Sequence, residues 1–478
     1  MGKIIYRVLL FIFPMVSIHV NGFSQHQAGR EEDMPVLYDQ VGERDSLMHV
    51  LHDRGTFKGH FRTFFMNTVN EGSNPDYFAL AMGGGIAYYS PVIKNFQVGL
   101  SGFIIYNLAS SDLAKNGFSN RYELGLFDVS DAGNRGDLDR LENLYLRYYF
   151  NSRQKSFLQA GKFHARTPLM NLQDGRMRPN LQEGLWLEIK DWEKIKFTAG
   201  WIWKTSPRST VEWYKIGESV GVYANGRAVN GQPASYYGHV QSNKMLIGNI
   251  EWTPVQDLNY QYWNYYADNL FNIALQKIEL RKRSANKTWL VGFQYLWEKS
   301  LSDGSIPLES QYIGPEEQSY VFSARIGVTD KRNVRGWSLN YSRITAHGRF
   351  LFPREWGIEP LYSFINRERN EGAGDVHGIM LEHAQSLDKG NRLSFRGRGG
   401  VYKMPPVAEA NLNKYTMPSY YQLSLEVNYE FKGFLHGLET QMLYSYKGNL
   451  EANPEYEPAL IHNKTRMHHL SVRVDYYF

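Results

Sequence analysis

Cysteine is absent from all 478 residues. A secreted scaffold stapled by disulfides is therefore excluded, and thiolate metal centres with it. Long apolar runs are missing too. Beyond the first two dozen residues no stretch approaches the ~20 apolar residues that a transmembrane helix needs. A helical membrane protein is excluded on that ground. Charge of one sign is not in excess: 53 Lys and Arg against 48 Asp and Glu leave a formal +5. So small an imbalance gives no reason to expect nucleic acid as a partner. No repeat of ~40–50 residues recurs, which removes a soluble β-propeller. Gly83-Gly84-Gly85 is followed by neither a Lys-Ser/Thr pair nor a helix, so it is not a phosphate cradle.

Aromatics, by contrast, are abundant: 33 Tyr, 26 Phe and 11 Trp. Many stand near apparent strand ends, where aromatic girdles would meet the two membrane–water interfaces. The mean hydropathy of −0.47 suits a barrel lined with water and hung with long loops. Alternation with a period of two recurs from Gly59 onward. Trp289, Val291, Phe293, Tyr295 and Trp297 oppose Gly292, Gln294 and Glu298. Leu144, Leu146, Tyr148 and Phe150 alternate with Tyr145, Arg147 and Tyr149, and Leu423–Phe431 shows the same pattern. Side chains of a strand point alternately to its two faces, so one face is apolar and the other polar. That is the lipid-out, water-in signature of a transmembrane strand.

The links alternate in length. Short ones include Pro91–Asn95, Asn151–Lys155, Asp330–Arg335 and Lys432–Gly437; long ones include Ala109–Asp139, His164–Gln182, Thr205–Asn243 and Ala346–Asp375. Short periplasmic turns and long external loops thread outer-membrane barrels in this way. An open edge in lipid would leave N–H and C=O groups unpaired at several kcal/mol each, so the sheet must close. The fold expected is an all-β, antiparallel, up-and-down transmembrane β-barrel of about 18 strands, sixteen being the near alternative. Strand assignment is weakest over Tyr236–Leu280.

At the N-terminus, Lys3 and Arg7 precede an apolar run from Val8 to Val20, with Gly22 and Ser24 after it. This predicts a cleaved secretory signal over 1–24. A polar periplasmic segment over 25–57 and the barrel over 58–478 follow. At the other end, Leu470, Val472, Val474, Tyr476 and Phe478 share one parity and Ser471, Arg473 and Asp475 the other. A final strand ending on an aromatic resembles the insertion signal of bacterial outer-membrane barrels, read by the assembly machinery.

Thr167-Pro168-Leu169-Met170 follows the strand Phe157–Phe163, and Asp174-Gly175-Arg176-Met177-Arg178-Pro179 follows that. Then come Gly184, Leu185–Ile189 and Ile195–Trp201. Earlier stand Gly55–Arg62 with Phe64-Phe65, and Ala81–Gly85. In this order the motifs resemble the OprD-type family of substrate-selective outer-membrane porins, over about Gly55–Ser206 and at Phe478. The resemblance implies a monomeric eighteen-stranded barrel in the outer membrane of a Gram-negative bacterium. It also implies that the third external loop folds inward, that small water-soluble solutes pass, often carboxylates, amino acids or small peptides, and that basic residues guide the carboxylate. Lipid, lipopolysaccharide and the assembly machinery are the other partners implied. No enzymatic activity, cofactor or metal is expected.

Parity places Arg62, Arg147, Arg325, Arg396, Arg398 and Arg473 on the water side. A guanidinium is charged at any working pH and its planar fork matches a carboxylate. Spaced arginines could pass an anion along without any one of them holding it too tightly. Arg–Glu pairs bracing the wall are the plainer reading of the same residues. In the presumed inward loop, Asp174 and Arg176 are read as pinning the loop to the wall, and Arg178 as facing the opening. The cluster Asp128, Asp131, Asp137 and Asp139 lacks EF-hand spacing and reads as a solvated acidic loop. Two alternatives stay open: a barrel that only displays loops such as Ala346–Asp375, and, with His468 as its one pointer, an outer-membrane phospholipase.

Overall fold

The computed structural model describes residues 55–72, 74–114, 121–136, 138–171, 175–330, 334–388, 390–451 and 466–478. The expected signal and most of the N-terminal segment lie outside the described residues, as does Asp174.

Among the described residues nineteen strands form one antiparallel sheet. The first seven are β1 (Thr56–Asn70), β2 (Tyr77–Tyr89), β3 (Phe96–Ser110), β4 (Leu138–Tyr149), β5 (Phe157–Phe163), β6 (Leu181–Ile189) and β7 (Ile195–Ser206). A two-residue β8 (Tyr214–Lys215) pairs only with β7 and is bypassed by the β7–β9 pairing. Then follow β9 (Met245–Val255), β10 (Leu258–Ala267), β11 (Phe271–Arg283), β12 (Lys287–Ser300), β13 (Gln318–Asp330) and β14 (Arg335–Ile344). The last five are β15 (Val376–Ser386), β16 (Leu393–Lys403), β17 (Tyr420–Glu430), β18 (Leu438–Asn449) and β19 (Met467–Tyr477). Neighbours in sequence are neighbours in the sheet, and β19 pairs with β1, so the eighteen strands other than β8 close into a barrel.

Closure is exact in register: His60 lies opposite Tyr477 and Arg62 opposite Asp475. Gly59 and Phe478 exchange backbone hydrogen bonds at 2.7 and 3.1 Å. Gly59 has no side chain because the Phe478 ring occupies its place; a Cβ there would stand 2.1 Å from that ring.

The outward face reads as a membrane. Along β12 the outward residues are Lys287, Trp289, Val291, Phe293, Tyr295, Trp297 and Lys299. Cation, aromatic, apolar pair, aromatics and cation follow one another. Trp289 and Trp297 are eight residues apart, ~27 Å along the strand. At the ~40° tilt of such barrels this is roughly 20 Å of height, close to the ~25 Å apolar band expected. Around the ring the exposed side chains of this band include Phe61, Ile86, Val98, Leu146, Ile250, Ile326, Leu339 and Leu381.

The inward face is not uniformly polar. Met245, Ile247, Trp263, Tyr265, Phe271, Ile273 and Leu275 point inward from β9, β10 and β11 and are buried. They pack with Phe350, Phe352 and Trp356 of the 345–375 loop in one apolar cluster. Trp356 contacts Phe271 at 5.9 Å and Phe352 at 5.8 Å between ring centres, and its Nε1 donates to Ser219 Oγ at 2.8 Å. This is why alternation was hard to read over Tyr236–Leu280: a water-in, lipid-out rule fails where a loop, not water, covers the inner wall.

The same loop crosses the barrel. Leu351 N donates to Glu298 on β12, and Tyr362 N donates to Ser323 on β13. Ser363 meets Ser342 on β14 and Tyr402 on β16. Gln422 on β17 donates to the Asn366 carbonyl, Lys447 on β18 pairs with Glu368, and Arg367 donates to Ser471 on β19. A loop so engaged is not a free display loop, which corrects that reading of Ala346–Asp375.

Candidate functional site

Strand parity puts Arg62, Arg147, Arg325, Arg396, Arg398 and Arg473 on the inward face, among inward neighbours such as Ser323, Gly400, Ser471 and Asp475. They then fall into two sets with different surroundings.

The first set braces the wall. Asp475 receives Arg62 Nε at 2.6 Å, lies 2.6 Å from Arg473 Nε and 2.8 Å from His60 Nε2. Arg62 is 1% exposed. Its Nη1 donates to the carbonyls of Arg176 at 3.0 Å and Met177 at 3.4 Å. Arg178, expected to face the opening, is instead 4% exposed. It clamps Glu142 on β4 through Nε and Nη2, and its guanidinium lies 4.2 Å from the centre of the Phe103 ring. Burial of the loop against the wall gives it that carboxylate and, at 3.1 Å, the His60 ring as partners. Arg140 adds bonds to the carbonyls of Pro179 at 3.0 Å and Ser206 at 2.6 Å. Backbone carbonyls and Arg178 thus tie the 175–180 stretch to the wall, while the Arg176 guanidinium reaches the Gly175 carbonyl at 2.6 Å. Arg147 packs among rings: it is 4.2 Å from the centre of Phe157, and its Nε donates to Gln159 at 2.7 Å.

The second set faces a cavity of about 410 Å³ inside the barrel. Arg325, Arg396 and Arg398 line it, with Arg166 and Lys277. The carboxylates on its wall are Glu251, Glu359 and Glu382, and Trp263, Tyr362 and Phe364 supply aromatic surface. Arg398 Nε donates to Glu382 at 2.7 Å, and Arg396 stands 3.8 Å from the same oxygen and 4.0 Å from Glu426. Arg325 donates to Glu279 at 3.0 Å and lies 4.5 Å from the centre of the Tyr362 ring. Five cations and three carboxylates therefore line this space, and Lys277, Arg325, Arg396 and Arg398 are each steadied by a carboxylate.

Sequence reasoning missed several members. Lys277 was hidden because its strand's inward residues just above it, Phe271, Ile273 and Leu275, are apolar. Glu359 comes from the long loop and Arg166 from the stretch after β5, where parity has no meaning; Arg367 and Arg369 of the long loop and Arg208 after β7 lie outside the cavity lining. Burial lowers the Arg208 guanidinium to about 9, and Arg176 and Arg367 nearby push the same way. Burial and then Arg208 and Arg354 bring Arg369 to about 9 as well. The guanidiniums of this region stand closely enough to oppose one another's charge. Glu359 is the counterpart: burial raises its carboxyl to about 7 against the pull of Arg369. Its Oε1 accepts the Asn370 amide at 2.5 Å, while Oε2 has no hydrogen-bond partner.

Two other readings meet the geometry here. Asp128 and Asp131 accept bonds from Ser130 and Gly133 in their own turns, Asp137 lies outside the described residues, and no metal-holding group occurs among those described. His468 contacts Tyr444 at 2.8 Å and Glu71 at 3.9 Å rather than a serine nucleophile.

A sequence profile described as outer membrane porin, OprD family, matches residues 141–343. Over that stretch the chain is similar to outer-membrane porins of the OprD family. The matched stretch overlaps the motifs between Leu141 and Ser206 and runs on through the centre of the chain, where those motifs were diffuse. Solved structures superpose over about nine-tenths of the chain. Acinetobacter baumannii OccAB3 gives a TM-score of 0.70 at 14% identity, covering 90% of this chain and 100% of that one. Acinetobacter baumannii OccAB4 gives 0.68 at 15%, covering 90% and 99%. Pseudomonas aeruginosa OccK8 (OprE) gives 0.67 at 14%, covering 89% and 98%. At these identities the likeness establishes the fold and not the solute. No curated protein matches the chain in sequence.

Proposed function

We propose that this OprD-type barrel is a passive channel selective for small carboxylate-bearing solutes, with Arg325, Arg396 and Arg398 as their partners. The observation that carries the reading is the set of cations exposed along the 410 Å³ cavity, Arg166, Lys277, Arg325, Arg396 and Arg398, with Glu251, Glu359 and Glu382 in the same lining and Glu279 and Glu426 paired behind it. A carboxylate entering there can exchange Glu382 for itself on Arg398 and pass to Arg396, three residues sharing one patch of β15 and β16. Existing pairing lowers the gain of each exchange, which keeps residence short and suits flux. The 164–180 and 345–375 segments, both bonded to inward wall residues, narrow the passage. Arg62, Arg147, Arg178 and Arg473 are assigned to bracing, Arg62 and Arg178 also pinning the 175–180 stretch to the wall. The protein acts as a monomer and carries out no catalysis.

The test is reversal potential across a planar bilayer under a KCl gradient, followed by titration with acetate, succinate or glutamate. Anion preference and a concentration-dependent drop in chloride current are expected. Equal permeability to both ions, with no response to any carboxylate, overturns the proposal. Flux no greater than empty vesicles in a liposome assay overturns conduction altogether.

A further inference from the structure

At the short-turn end of the wall, the outward side chains of β11 to β15 form two rows. Lys282 is opposite Trp289, Trp289 opposite Val328, Val328 opposite Trp337, and Trp337 opposite His383. Two residues nearer the turns, Lys287 is opposite Asp330 and Asp330 opposite Arg335. Consecutive outward positions are ~7 Å apart along a strand, so one row lies a headgroup's depth below the other. Trp289 and Trp337 are 43% and 50% exposed, and the His383 ring stacks on Trp337 at 4.1 Å. Lys282, Lys287 and Arg335 are exposed. Arg335 lies 4.0 Å from Asp330.

This charge is confined to one sector. Among the described strand residues, no other outward position at this end is a lysine or arginine; Phe96, Ile195, Phe395 and Tyr476 are typical of what stands there. Tryptophans at the interface are common to all such barrels. A lysine level with two of them, and a lysine and an arginine immediately beneath, is not.

We propose that this sector holds the headgroup of an anionic phospholipid of the inner leaflet. The phosphate sits among Lys282, Lys287 and Arg335, and the acyl chains lie along Trp289, Val328 and Trp337. Arginine offers a planar fork to phosphate oxygens and lysine a mobile point charge. Juxtamembrane cations are drawn to anionic lipid, and the attraction falls away within a Debye length. Asp330 offsets one charge of the three, so the remainder matches a headgroup of low negative charge. The surplus of two cations disfavours a headgroup that carries an ammonium of its own. A water-soluble acidic protein fits less well, because the apolar row is continuous with the lipid-facing band and would have to be stripped of acyl chains first.

Native mass spectrometry of the full chain in detergent tests this, after equilibration with phosphatidylglycerol or phosphatidylethanolamine. One retained phosphatidylglycerol, at least about fivefold over phosphatidylethanolamine, is expected, and its mass distinguishes it from free phosphate. Retention should fall at least about fivefold in K282Q/K287Q/R335Q and by less in R335Q alone, and stay unchanged in R153Q/K155Q, which removes turn charges elsewhere. Heat-dependent gel mobility checks that each variant is folded. Equal retention of both lipids, full retention in the triple variant, or an equal loss in R153Q/K155Q overturns the proposal.

Discussion

Replacing Glu359 with glutamine removes a carboxylate from a cavity that five cations face. Burial holds this carboxyl at about 7, so near neutrality it is part charged and part neutral. The sign follows. As pH falls through 7 the group takes up a proton, the cavity gains positive charge, and anions are favoured over cations. A unit charge ~7 Å from a passing ion is worth about 0.6 kcal/mol in bulk water and about 2.4 kcal/mol at an effective dielectric of about 20. Even the smaller value changes a monovalent ion's local concentration by about 2.7-fold. Anions and cations move oppositely, so their ratio changes by roughly sevenfold at that lower bound, less as salt screening grows. The assay is reversal potential in dilute KCl at steps from pH 8 to pH 6. The native channel should shift toward the chloride limit as pH falls, and E359Q should sit near that limit throughout. A flat native profile, or an E359Q variant that keeps the full pH step, refutes the reasoning.

R396Q/R398Q should lower the anion-to-cation permeability ratio several-fold while leaving folding intact, since both side chains face the cavity; reversal potential and gel mobility read the two effects. Asp475→Asn takes the shared carboxylate charge from Arg62, Arg473 and His60, and breaking such a buried set costs about 3–5 kcal/mol; the denaturant midpoint in micelles should fall accordingly, and an unchanged midpoint counts against the bracing role. Trp356→Ala opens a void under the long loop worth about 3–5 kcal/mol, so limited proteolysis within 345–375 should accelerate. Lys414 lies amid Tyr236, Tyr312 and Tyr415, and burial depresses its ammonium to about 7. The unfolded chain then binds more protons between about pH 7 and pH 10, so stability rises with pH across that window. K414M should remove the rise and match or exceed native stability at pH 7.

The alternation of β12, β17 and β19 was legible from residues alone because each borders lipid on one side along its whole length. The arginines on those parities were legible for the same reason. Arg178 was not: its neighbours in sequence cannot tell that Glu142, thirty-six positions earlier, waits across the loop. Lys277 was masked by Phe271, Ile273 and Leu275, whose inward apolar faces belong to the loop carrying Trp356.

The lipid fixes one face of every strand, and a period of two is all that is needed to record it. Chain order then dictates neighbour order in an up-and-down sheet, so barrel, strand number and the water side of each arginine are written locally. What fills the bore is decided by contacts between residues more than a hundred positions apart, such as Arg367 with Ser471 or Gly221 with Glu355. Those contacts choose which cations are spent on bracing and which are left facing the cavity, because pairing depends on distance in space and no periodicity along the chain encodes it.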